Sequence, residues 1–199
     1  GLPLNFQEIK NIMAESKVRI LLRRMAECEE FQRATQFSVK DIRMGAQELC
    51  LRYLTILSAY DWKKRDFIHY RGLLKMMDQM IIRLNGMPEE SLEKLFQTFR
   101  CVMADCHEIL GEYSFCKVDN NRINKALFTG WAVVLTNTEY EIDILKKNIR
   151  ELRNLYRKCL CEDIEFYRAI TSSTGTRKNI GMSIEVIRNL WEKCYDKIN

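Results

Sequence analysis

Three groups of residues combine side-chain type and spacing in ways that could do chemistry. Arg43, Glu48 and Arg52 fall within one short stretch. Glu48 and Arg52 are four apart, so they can pair along one face of a helix, and Arg43 can approach from the preceding turn. The plain reading is a salt-bridge network on a helix surface or between domains. Asn124 and Lys125 stand where a second helix should begin. Unpaired backbone N–H groups and a lysine at that point attract an anion, although Asn124 also suits a simple N-cap. Lys146, Lys147, Arg150, Arg153 and Arg157 form the strongest basic face. Glu139, Glu141, Asp143 and Glu151 interleave with it, which favours a solvated helix surface over a phosphate-backbone footprint.

Other constellations are weaker. Arg100 precedes His107 by seven positions, nearly two helical turns, so the two share a face. That spacing resembles the Arg-His pattern of the all-helical HEPN-type ribonucleases, an alternative reading of the chain as an RNase. Cys101, Cys106, His107 and Cys116 can each ligate a metal, but the gap between the two helical cysteines does not fit a zinc knuckle, and Cys159-x-Cys161 fits no better. Residues 172–175, Ser-Ser-Thr-Gly, contain too little glycine for a phosphate-binding loop. No nucleophile elbow, zincin motif or paired-carboxylate arrangement occurs. No catalytic residue and no metal site are therefore assigned.

The elements that must hold these groups read as helices almost throughout. Asn5 and Glu8 make a capping pair for a helix over 5–14. Ser16 starts a second, with Val18, Leu21, Leu22 and Met25 on one side. A short third carries Phe31 over 29–36. A longer one, from Ser38 or Asp41 to about Tyr60, presents Ile42, Ala46, Leu49, Tyr53, Ile56 and Leu57, and Gly45 within it marks either close packing or a later start. Residues 61–65 form a charged connector and 67–84 continue in helical rhythm to the Asn85-Gly86 stop. Pro88, Glu89 and Glu90 open a helix to Leu110, and Gly111 closes it. After an irregular stretch over 112–122, helices follow over 123–135, 138–159, 163–171 and 180–197. The fold class is all-α, a compact array of about ten helices with no strand. It forms one domain over 1–199 or two packed subdomains, 1–111 and 112–199.

Composition agrees. Hydrophobic residues make up 47% and charged residues 30% of the 199, with only 8 Gly and 2 Pro, so few breaks interrupt long helices. A net charge of +5 permits contact with nucleic acid but is mild for a dedicated DNA-binding module. The eight cysteines sit mostly in apolar helical patterns, Cys50, Cys101 and Cys194 among them, and read as small core residues in a reducing cytoplasm. No apolar run approaches the ~18 residues that would span a bilayer, so no membrane partner is expected.

The segments R-M-G-A-Q-E-L-C-L-R-Y (43–53) and I-N-K-A-L-F (123–128), with L-N-F-Q-E-I-K-N (4–11), stand in an order and spacing that resembles one bacterial family. It is the domain-of-unknown-function-262 family, which includes the S half of GmrSD-type modification-dependent restriction systems. The resemblance runs from about Pro3 to the C-terminus and covers the helical later part of such proteins. It implies that the nucleotide-dependent chemistry belongs to a ParB/sulfiredoxin-like domain with an Asp-Gly-Gln-Gln-Arg motif, which this chain lacks, so no cofactor is expected here. It implies a scaffold role in restriction of modified DNA or anti-phage defence. The expected partners are that catalytic domain, an HNH nuclease domain or subunit, DNA, or a second copy. On this reading Arg43, Glu48, Arg52, Asn124 and Lys125 face the catalytic domain or its nucleotide, and residues 172–175 match the family's closing Ser/Thr-rich turn. The family's arginine early in the last helix is replaced here by Gly181-Met182-Ser183.

Overall fold

A helix that is apolar all round has to be buried, and the segment A-L-F-T-G-W-A-V-V-L is one. Every residue from Ala126 to Leu135 is buried. The computed structural model, which describes residues 16–39, 44–138 and 147–196, places this helix at the centre. In chain order the helices are α1 (Lys17–Glu27), α2 (Glu29–Ala34), α3 (Gly45–Ala59), α4 (Leu73–Asn85), α5 (Glu89–Leu110), α6 (Lys125–Asn137), α7 (Ile149–Glu162), α8 (Ile164–Thr171) and α9 (Arg177–Asp196). The central α6 packs against α3, α5, α8 and α9. The all-α expectation holds.

One hydrophobic core runs from Val18 in α1 to Cys194 in α9, crossing the boundary at 111/112 without interruption. Its aromatic centre joins distant parts of the chain: Phe128 meets Phe31 edge-on at 5.8 Å and Phe115 at 5.0 Å, and Phe99 lies tilted against both Phe31 and Tyr53. Tyr53 also shares a hydrogen bond with Thr136 at 2.9 Å, so α3 and α6 are tied by packing and by a polar contact.

Gly130 explains how α9 approaches α6 so closely. A Cβ built there would fall 2.7 Å from Cδ1 of Ile187, a fully buried side chain. A Gly130→Val variant is expected to lose about 1–3 kcal/mol through overpacking, measured by urea unfolding; wild-type stability would show that α9 yields without cost.

Several boundaries differ from the sequence-based expectation, each for a local reason. Of the starts expected for the longer helix that ends near Tyr60, the later one that Gly45 signals is observed, not Ser38 or Asp41: it begins at Gly45, after Met44 takes a left-handed conformation (φ 60°). Ile42 and the helix expected over 5–14 lie outside the described residues. The connector at 61–65 is instead the turn of a small antiparallel hairpin, β1 (Tyr60–Asp61) with β2 (Asp66–Phe67), so the expectation of no strand is corrected. Tyr60 pairs with Phe67 across it, their rings edge-to-face at 5.4 Å, and Asp61 Oδ1 accepts from the Lys63 and Lys64 amides to close the turn. The helix expected from Phe67 therefore starts only at Leu73, after Gly72 at φ 90°, where a side chain would be strained. Among the described residues the basic helix begins at Ile149 rather than Thr138, which instead ends α6. The final helix starts at Arg177, three residues early. Asp163 caps α8 through the Phe166 amide, as its position predicts. All eight cysteines are free thiols; Cys50 and Cys194 lie in the core, but Cys101 is exposed on α5, against expectation.

Candidate functional site

α3 and the start of α6 bring together the residues that the sequence singles out. Glu48 does not hydrogen-bond along its own helix to Arg52. Its Oε1 accepts instead from Lys125 Nζ at 2.6 Å, a bridge between α3 and α6. Asn124 is the N-cap of α6: its Oδ1 accepts from the Ala126 and Leu127 amides at 2.9 and 3.0 Å. Its Nδ2 donates to the Ile170 carbonyl at 2.8 Å, so the same side chain fastens α8 to the start of α6. Replacing Asn124 with alanine is expected to lower stability by about 1–2 kcal/mol, read by chemical unfolding; an unchanged midpoint would mean that neither bond matters. Arg43 and Lys146 lie outside the described residues.

Arg52 is the one buried charged side chain among the described residues, 6% exposed. One turn beyond Glu48, it reaches the loop at 172–176, where Nη2 donates to the Thr174 carbonyl at 2.5 Å. Among the described residues its Nε has no partner. Burial pulls the guanidinium below its ordinary pKa, and the nearby Glu48 and Tyr70 oppose that pull. A cation withdrawn from water without a bonded carboxylate is unfavourable unless something further meets it.

The loop that receives Arg52 is held by other side chains. Tyr70 donates its hydroxyl hydrogen to the Gly175 carbonyl. Asn179 Nδ2 donates to the Ser172 and Ser173 carbonyls at 2.7 and 3.2 Å, and Thr176 Oγ1 accepts from the Asn179 amide. Arg177 pairs with Asp66, with Nε 3.0 Å from Oδ1, linking the loop's far end to the hairpin. Tyr70 and Asn179 carried no signal in the sequence: Tyr70 sits in a stretch that reads as helix, and Asn179 looks like an ordinary polar helix residue. The loop's role as a turn, by contrast, was legible in its composition.

Charge pairs here and between α2 and α5 make the fold sensitive to acid. The hydrogen bond from Arg177 holds Asp66 below the usual carboxylate range, and the one from Arg100 does the same for Glu30. A carboxyl group depressed in the folded state stabilises the fold above its unfolded pKa, about 4. That contribution is lost as pH falls through the folded value. An Asp66→Asn variant should therefore show a shallower fall of stability below about pH 4, followed by helical circular dichroism; an unaltered profile would contradict the pairing.

The remaining candidates lie elsewhere. Arg153 donates from Nε to the Ile109 carbonyl at 2.7 Å and from Nη2 to the Glu108 carbonyl at 2.9 Å, closing the C-terminal end of α5 rather than standing free on a basic face. Lys147, Arg150 and Arg157 are exposed. Arg100 commits Nε and Nη2 to Glu30, joining α5 to α2, while His107 is exposed a further two turns along α5. Among the described residues no three His, Cys, Asp or Glu side chains gather as a metal-ligand set, and no helix is long and apolar enough to cross a membrane.

Comparison of the chain with protein-family models, curated proteins and solved structures finds no match. Among the described residues the cluster offers a buried cation, a Lys–Glu bridge and a loop with hydroxyl side chains, groups that can recognise a polar or charged partner.

Proposed function

We propose that this chain is the helical interaction region of a GmrS-like protein, and that the surface around Glu48, Arg52, Lys125 and residues 172–176 meets the catalytic domain of that system. The observation that carries the reading is the convergence of residues 44–53, 123–128 and 172–175, which fall in stretches resembling the domain-of-unknown-function-262 family. They lie far apart in sequence yet are joined by the Lys125–Glu48 bridge and the bond from Arg52 to Thr174. Arg52 supports it further by holding the 172–176 loop against α3 through the Thr174 carbonyl, which sets the shape of the surface a partner would meet. The role is assembly in defence against modified foreign DNA, with the bond-breaking chemistry in the ParB/sulfiredoxin-like domain and in an HNH nuclease domain or subunit.

Titration calorimetry of the chain against an isolated ParB/sulfiredoxin-like domain of that family tests the proposal. Binding should be measurable, and Glu48→Arg, which sets a cation against Lys125 and Arg52, should weaken it about tenfold or more. Lack of binding, or equal affinity for wild type and variant, would end the reading.

A further inference from the structure

An open cleft of about 510 Å³ lies where α7 crosses the C-terminal end of α5, away from the cluster around Arg52. We propose that it is a binding site for a small phosphorylated anion carrying two or more phosphoryl groups. Arg150, Arg153 and Arg157 all line it, and among the described residues of the lining the one carboxylate is that of Glu112. The spacing i, i+3, i+7 puts the three on one side of α7, beside the stripe of Leu152, Tyr156 and Leu160 that fixes the helix to the core.

The cleft has a built wall. Arg153 is held by the Glu108 and Ile109 carbonyls, so its position is set before any ligand arrives. Gly111, at φ 68°, leaves the space that Arg153 occupies: a Cβ there would come 3.0 Å from Nη2. Arg150 and Asn154 are exposed, and among the described residues neither side chain makes a hydrogen bond or ion pair. Planar guanidiniums bind phosphoryl oxygens in bidentate fashion, and a carboxamide adds two further donors. Pockets that take discrete small ligands have volumes of about 300–1,000 Å³, and this cleft of about 510 Å³ falls in that range. The phosphates of duplex DNA, in contrast, are tracked by an extended basic stripe, whereas these three arginines converge on one concave cleft.

Isothermal titration of the full chain with inorganic triphosphate at low salt tests the site. Saturable binding is expected. Arg150→Ala should weaken it about tenfold and the Arg150→Ala/Arg157→Ala pair about a hundredfold, while Lys158→Ala should leave affinity within about twofold. These side chains are exposed, and thermal unfolding of each variant verifies that the fold persists. No binding of triphosphate would overturn the proposal, as would equal weakening by Lys158→Ala. So would duplex DNA that binds the chain and is not displaced by triphosphate, which would assign the arginines to a nucleic-acid surface.

Discussion

Phe128→Ala is expected to destabilise the protein by about 3–5 kcal/mol, a large part of the ~5–15 kcal/mol by which domains of this kind are stable. Phe128 is fully buried on α6 and is the ring where α2, the segment after α5 and the central helix meet. Deleting it removes edge-to-face contacts on two sides as well as its apolar area. The surrounding helices cannot collapse into the void easily, because α3, α5, α8 and α9 already pack on the other sides of α6. Urea unfolding followed by circular dichroism should show a lower midpoint, and for the reverse control Phe128→Leu should recover much of the loss. A Phe128→Ala change below about 1 kcal/mol would refute the assignment of α6 as the core element.

Arg52→Met should have the opposite sign. Methionine fills a similar volume and needs no partner, so the isolated chain is expected to gain about 1–2 kcal/mol or to stay level. What is lost is the bond to the Thr174 carbonyl, and that carbonyl can turn to water because Thr174 is only partly buried. The same variant should bind the catalytic domain at least about tenfold more weakly. Stability retained with recognition lost is the signature of a residue kept for a partner. Marked destabilisation of the isolated chain, in contrast, would make Arg52 a structural fastening of the 172–176 loop.

Helical periodicity made most of the architecture legible. The apolar stripe of α1, the Pro88-Glu89-Glu90 start of α5, the Asn124 and Asp163 caps and the inward face of α9 stand as their residues predict. At Met44 and Gly72, both with positive φ, backbone conformation rather than side-chain period decides where the helix starts. The hairpin at 60–67 is hidden for a related reason: two residues per strand are too few for an alternating pattern, and the pairing depends on Tyr60 meeting Phe67 across a turn. Within the candidate site, Glu48, Arg52, Asn124 and Lys125 were visible as residues, but their partners were not. The i,i+4 rule favours Glu48 with Arg52, whereas tertiary packing brings Lys125, 77 positions away, within 2.6 Å of Glu48. Arg153 shows the same limit, since spacing along α7 cannot reveal that α5 ends against it.

The most direct test of the account is the rate of nucleoside triphosphate hydrolysis by a ParB/sulfiredoxin-like domain of the resembled family, measured alone and with this chain added. The chain by itself should be inactive, its addition should raise the rate of the catalytic domain, and Arg52→Met should abolish the rise. Robust hydrolysis by the chain alone, or a rate indifferent to its addition, would contradict the claim that the surface around Arg52 serves a catalytic partner.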